Sequence, residues 1–170
     1  NIAYMTLGKY PDGVPKQYLI VNKIDELKDF PRFNDIATAA GVDQLGLSGG
    51  VCIEDFDGDG DLDIMASSYG IGDQIKYFER RADKYVDKTI DCGLNGITGG
   101  LNMIHADFDN DGDNDVLLLR GAWLRKAGLH PNSLIENLGN NQFQDITFKA
   151  GINSKLPTQT ACWLDVDLDG

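Results

Sequence analysis

The sequence predicts an all-β chain assembled from repeated four-stranded units, preceded by a short helical remnant. Three observations carry this reading. Three segments share an aromatic-x-Asp start, at Phe33-Asn34-Asp35, Tyr85-Val86-Asp87 and Phe143-Gln144-Asp145. Each leads to a small residue, a glycine and an aliphatic one: Ala40-Gly41-Val42, Cys92-Gly93-Leu94 and Ala150-Gly151-Ile152. Each then reaches a run of alternating aspartates, at Asp55, Asp107 and Asp165, 22 residues after the aromatic in every copy. A register held over three copies marks an internal repeat. Four short strand-like runs in a unit of about 50 residues match a blade of a β-propeller, and two and a half such units make a partial one.

Taken in order, Asn1 to Tyr10 places Ile2 with Met5, and Tyr4 with Leu7, at helical spacing, and Pro11-Asp12-Gly13 is expected to end that helix. Residues 1–16 thus read as the end of an upstream helical region, and 17–44, with a strand over Tyr18–Asn22, as an incomplete blade. A blade is expected over 45–96, with strands at Val51–Glu54, Leu62–Met65, Ile75–Phe78 and Tyr85–Thr89. A second is expected over 97–154, with strands at Leu101–Ile104, Val116–Leu119, Leu134–Ile135 and Phe143–Phe148. Residues 155–170 begin a truncated blade. The period is 52 residues between the first two copies and 58 between the next two. The six additional residues are placed after Arg120, within 121–131, beyond which Gln74–Glu79 aligns with Asn132–Asn137.

The 170 residues include 27 acidic and 15 basic ones, a formal net charge of −12. That balance argues against a nucleic-acid binder, whose footprint is basic, and against a polybasic membrane-surface segment. The longest purely aliphatic run, Val116–Leu119, is far short of a membrane span. Thirteen of the 27 acids lie in the aspartate runs, and the other 14 face 15 bases. The acidity is therefore local.

Those runs read Asp55-Phe56-Asp57-Gly58-Asp59-Gly60-Asp61-Leu62-Asp63 and Asp107-Phe108-Asp109-Asn110-Asp111-Gly112-Asp113-Asn114-Asp115. The third reads Asp165-Val166-Asp167-Leu168-Asp169-Gly170. Carboxylates at positions 1, 3 and 5 followed by glycine at 6 open a calcium-wrapping loop. Ca²⁺ takes roughly six to eight oxygens, and alternate residues of a tight loop aim inward at it. Position 7 (Asp61, Asp113) is expected to ligate through its carbonyl and position 9 (Asp63, Asp115) through its carboxylate. An EF-hand needs flanking helices and a glutamate at position 12, where this chain has Ala66 or Leu118 between strands. The plain alternative is a solvated acidic loop. Converging carboxylates repel unless a cation neutralises them or some protonate, and the repetition favours the cation. Mg²⁺ suits the loops less well, since it demands a stricter octahedron.

On these loops, on Phe143-Gln144-Asp145-Ile146-Thr147 and on Asn137-Leu138-Gly139-Asn140, the units resemble FG-GAP/VCBS repeats. These are the calcium-bearing blades of integrin α-subunit heads and of many secreted bacterial proteins. The wording is similar to the cartilage acidic protein/ASPIC–UnbV type, and the resemblance covers residues 17–170. It implies a β-propeller of about seven blades with Ca²⁺ in the hairpin loops, of which this chain is a fragment. Glu79-Arg80-Arg81-Ala82-Asp83 departs from the usual Asn/Gly turn, and Ile90-Asp91-Cys92 from the usual run before glycine. The terminal ASPIC–UnbV segment is not among these residues, so no function residing there is implied.

No catalytic set emerges. His105 stands where the other copies have Ile53 and Trp163, a packing position of the repeat. His130 shares the insertion with Trp123, Arg125 and Lys126, either a loop covering a neighbouring blade or one that binds an anionic sugar or a protein. Cys52 and Cys162 occupy the place of Ile104, and Cys92 that of Ala40 and Ala150, so all three read as small buried hydrophobes. The expected function is a non-enzymatic, calcium-stabilised module, extracellular or periplasmic, with a leader presumed upstream. It would serve adhesion or ligand binding, with a protein or glycan and the remaining propeller blades as partners. The alternative is the accessory propeller portion of a larger secreted polysaccharide-active enzyme.

Overall fold

The computed structural model describes residues 2–19 and 33–167. They fall into two compact units, Asn1–Asp35 and Ile36–Gly170. In the first, helix α1 spans Ile2–Thr6. The Lys9 amide reaches Tyr4 O at 2.8 Å and the Gly8 amide reaches Met5 O at 3.0 Å. Gly8 itself is left-handed (φ +64°). This is a Schellman closure, so the helix stops at Gly8, ahead of the Pro11-Asp12-Gly13 stop expected from the sequence. Lys16–Tyr18 forms a 3-10 turn, which takes Tyr18 out of the strand expected over 18–22. The rest of that strand, from residue 20, and much of the expected incomplete blade lie outside the described residues.

The second unit holds two four-stranded antiparallel sheets. The first contains β1 (Ser48–Glu54), β2 (Asp63–Ser68), β3 (Lys76–Arg81) and β4 (Lys84–Asp87); the second contains β5 (Asn102–Ala106), β6 (Asp115–Leu119), β7 (Ser133–Asn137) and β8 (Phe143–Asp145). Both are meanders in sequence order. Among the described residues no helix is long and apolar enough to cross a membrane.

The outermost strands end sooner than the sequence suggested. After β4 and β8 the chain makes one helical turn, seen in all three copies. Val42, Leu94 and Ile152 donate their amides to Ala37, Thr89 and Thr147 O, at 3.0, 3.1 and 3.0 Å. In the first copy that turn is helix α2, Ala37–Ala40. The recurring small-Gly-aliphatic motif is thus a helical turn closed by a left-handed glycine, with φ of +84° at Gly41, +88° at Gly93 and +75° at Gly151. The first two also lie against the next copy: a Cβ on Gly41 would sit 2.6 Å from Tyr85 O, and one on Gly93 2.7 Å from Phe143 O.

The aromatic-x-Asp-x-Thr motif is a clasp. Thr89 Oγ1 accepts the Tyr77 amide at 2.9 Å and donates to Asp87 Oδ1 at 2.6 Å. Thr147 Oγ1 accepts the Leu134 amide at 2.8 Å and pairs with Asp145 Oδ1 in the same way. Burial opposes ionisation of Asp87, but the Lys76 ammonium and the Thr89 donors outweigh it and hold its carboxyl below the usual range.

Strand pairing corrects the alignment of the two sheets. Phe78 faces Ile64, and Ile135 faces Val116. Phe78 therefore corresponds to Ile135 and Arg80 to Asn137, one place from the sequence alignment. Five of the additional residues precede β7 and one enlarges the β7–β8 turn. Within the insertion, Ala122–Ala127 forms two short 3-10 turns kinked at Arg125 (φ +50°), and Trp123 packs edge-on against Tyr69 of the preceding repeat at 6.0 Å. The covering-loop reading fits this contact.

The core joins one face of each sheet, with Cys52, Met65 and Tyr77 against Met103, Val116, Leu118 and Ile135. β1 and β5 lie side by side where Gly50 meets the Asn102–Met103 backbone; a Cβ there would stand 2.6 Å from Met103 N. Cys52 and Cys92 are buried as expected, and burial pushes both thiols up to about 11. Cys162 is exposed instead, because residues 159–167 form no strand here to cover it.

Candidate metal centre

Each aspartate run is the hairpin loop between the first two strands of its sheet, 55–62 between β1 and β2 and 107–114 between β5 and β6. Ala66 and Leu118 at position 12 lie on strands, so neither loop is an EF-hand. The loops fold on their own carboxylates. Asp55 Oδ1 and Oδ2 accept the amides of Asp59 (3.1 Å) and Gly60 (2.9 Å); Asp107 accepts those of Asp111 (3.1 Å) and Gly112 (3.0 Å). Such a path needs left-handed residues at positions 4 and 6. They are Gly58 (+73°) and Gly60 (+91°) in one loop and Asn110 (+60°) and Gly112 (+98°) in the other. Glycine bears that conformation without steric cost and asparagine bears it better than most.

Position 2 anchors the loop from below. Phe56 is fully buried, edge-on to Tyr77 (6.1 Å) and Phe143 (6.0 Å). It also meets His105 of the next repeat at 6.4 Å, as Phe108 meets Trp163 at 6.2 Å. His105 Nε2 lies 3.3 Å from Glu54 Oε2, so this histidine has a packing and pairing role.

Position 9 closes the loop. Asp63 is buried; its Oδ2 accepts the Phe56 amide (3.2 Å) and lies 2.8 Å from the Tyr77 hydroxyl, while its Oδ1 accepts the Arg80 amide (2.8 Å). Asp115 does the same with the amides of Phe108 (3.1 Å) and Asn137 (2.7 Å). Burial raises both carboxyls against these hydrogen bonds, Asp115 to about 6, and neighbouring loop carboxylates add to the rise. Asp113 is raised too, by partial burial and by Asp111, Asp107 and Asp109.

The structure brings positions 1, 3 and 9 together. Carboxylate oxygens of Asp55, Asp57 and Asp63 all lie within 4.8 Å of one another, and so do those of Asp107, Asp109 and Asp115. Asp59 and Asp111 stand outside these groups, their Oδ1 atoms each accepting the amide two residues on at 2.9 Å. Asp61 points its carboxylate toward Arg80 Nε at 3.8 Å. In the third run Asp165 and Asp167 are exposed, and Asp169 lies outside the described residues. Among the described residues, no salt bridge reaches Asp55, Asp57, Asp107 or Asp109. Three converging hard-oxygen donors without a basic partner, and without His or Cys, fit Ca²⁺ rather than a softer metal.

Residues 55–118 match the family model of the FG-GAP-like repeat. The match opens on the first aspartate of one loop, contains both loops and ends in β6. No curated protein matches the chain. The sequence reading missed the residues that reach the loops from elsewhere. Asn141 Nδ2 donates to Asp57 Oδ2 and Glu79 Oε1, both at 3.0 Å, and its Oδ1 lies 2.7 Å from the Tyr77 hydroxyl. Asn137 Nδ2 donates to Phe56 O at 2.8 Å. The Asn137–Asn140 wording was visible in the sequence, but no local spacing ties it to a loop more than 80 residues earlier.

Proposed function

We propose that this chain is a calcium-binding FG-GAP/VCBS-type module, part of a β-propeller of the cartilage acidic protein/ASPIC–UnbV type. It serves without catalysis as an extracellular or periplasmic scaffold for adhesion or ligand binding, with a protein or glycan as partner. The observation that carries this is the recurrence of one carboxylate trio at the same three positions of two consecutive sheets. In this reading Asp55, Asp57 and Asp63 hold one ion and Asp107, Asp109 and Asp115 another. The ion supplies the positive charge that the loops lack. The chain's own residues orient the carboxylates: the Arg80 and Asn137 amides fix position 9, and Phe56 pins the loop to the core.

Propeller packing is supported by the sheet faces. Met103, Val116, Leu118 and Ile135 pack the second sheet onto the first. Their counterparts Val51, Ile64, Ala66 and Phe78 form the same apolar pattern on the first sheet, where Ile64, Ala66 and Phe78 line a cavity of about 1000 Å³. The non-catalytic reading is supported by the buried, raised thiols of Cys52 and Cys92 and by the pairing of His105 with Glu54.

Thermal unfolding with calcium and with chelator tests the proposal. Calcium at ten times Kd adds about 1.4 kcal/mol per site, so the midpoint should rise by several degrees. The same midpoint in both conditions overturns it.

A further inference from the structure

We propose that Asn137 couples the two aspartate loops, so that a cation in either one raises the affinity of the other; this rests on the calcium reading above. Asn137 is fully buried. Its backbone amide donates to Asp115 Oδ1 at 2.7 Å and so holds the ninth-position carboxylate of the second loop. Its side-chain amide donates to Phe56 O at 2.8 Å, between Asp55 and Asp57 of the first loop, and to Asn114 O at 3.3 Å. Its Oδ1 accepts the Gly139 amide at 3.1 Å, which fixes the orientation of the side chain. One residue at the end of β7 thus bonds the second loop's closing aspartate through its backbone and both loops through its side chain. Farther round the same turn, Asn141 adds a direct bond to Asp57 Oδ2 at 3.0 Å. In the first sheet the counterpart Arg80 makes the backbone bond to Asp63. Among the described residues the side-chain bridge between loops belongs to Asn137.

A cation that orders the first loop fixes Phe56 and Asp57, and with them Asn137 and Asn141. The amide that positions Asp115 is then already placed, and the second ion has less left to order. By linkage the effect is reciprocal. Repulsion between the two ions acts in the opposite sense and is screened at physiological salt, where the Debye length is about 8 Å.

The test is a calorimetric calcium titration of the full chain at physiological salt, with and without the second loop disabled by Asp107→Asn and Asp109→Asn. Disabling it should lower first-loop affinity by about five-fold or more. In an Asn137→Ala background the same change should leave only the charge effect common to both arms, which the double-mutant cycle subtracts, so the five-fold loss should disappear from the difference. Asn137→Ala keeps its backbone amide on Asp115, so the second loop should still bind. Should that variant fail to fold, Asn141→Ala, on the half-buried turn, should reduce the coupling instead. First-loop affinity indifferent to the second loop in the wild type overturns the coupling while leaving calcium binding intact, as does coupling that survives both variants. No uptake by the wild type overturns the calcium reading itself.

Discussion

The Arg80 backbone amide donates to Asp63 Oδ1 at 2.8 Å, tying the end of the aspartate loop to the third strand of its sheet. The second sheet repeats the bond between Asn137 and Asp115 at 2.7 Å. The ninth-position aspartate is therefore a structural element of the hairpin as well as a candidate ligand, and the third-position aspartate of the second loop is exposed. Their replacement should separate the two roles.

In chelator, Asp63→Ala leaves the buried amides of Phe56 and Arg80 without their acceptor and should cost about 2–4 kcal/mol. Asp109→Ala in chelator should lie within about 0.5 kcal/mol of wild type, since it removes only a repelling exposed charge. In saturating calcium Asp109→Ala should become destabilising. Urea unfolding of the three proteins in both conditions checks this, and equal effects of the two substitutions in chelator would refute the assignment.

How much of this was legible in the sequence depends on the range of each interaction. Strands, hairpin loops and the glycine-closed turn rest on neighbours a few residues apart, so composition and spacing reveal them. Positions 1, 3 and 9 of the loops follow for the same reason. Position 5 does not, because Asp59 can face a cation or the Asp61 amide, and the backbone path decides. The alignment of Gln74–Glu79 with Asn132–Asn137 was one place off: strand pairing sets Phe78, not Tyr77, against Ile135 in the repeat. Asn137 and Phe56, 81 residues apart, meet only because the sheets stack.

The Thr89 clasp should be sensitive to substitution. Thr89→Val removes both the acceptor for the Tyr77 amide and the donor to Asp87, and should cost about 1–3 kcal/mol by urea denaturation. Thr147→Val should behave alike.

Acid should act through Asp87, whose carboxyl is held low in the folded chain. Its contribution is fully present above its unfolded value of about 3.9 and is lost as pH falls through the lower folded value. Asp87→Asn should accordingly lower the melting temperature at pH 6 and flatten its fall below about pH 4. An acid limb as steep as that of the wild type would contradict the clasp.

Gly93→Ala combines a left-handed backbone with a Cβ 2.7 Å from Phe143 O, whereas an alanine at Gly151 meets nothing within 4 Å. Gly93→Ala should therefore cost more than Gly151→Ala, for which the backbone term alone is about 1–2 kcal/mol. Chemical denaturation of the pair reads the difference.

Equivalent positions of the two sheets should respond differently in this chain. Met103 is buried between the sheets, and Met103→Ala should cost about 2–5 kcal/mol. Val51, at the same repeat position, is 55% exposed, and Val51→Lys should shift stability by less than about 0.5 kcal/mol. Thermal melts of both variants check this.

The central claim is that the two aspartate trios are cation sites, and calcium stoichiometry tests it most directly. Equilibrium calcium binding should be compared for wild type, Asp57→Asn, Asp109→Asn and the double variant. Each single substitution should remove one bound ion, and the double substitution both. Wild-type chain that takes up no calcium, or a double variant that binds as much as wild type, would contradict the account.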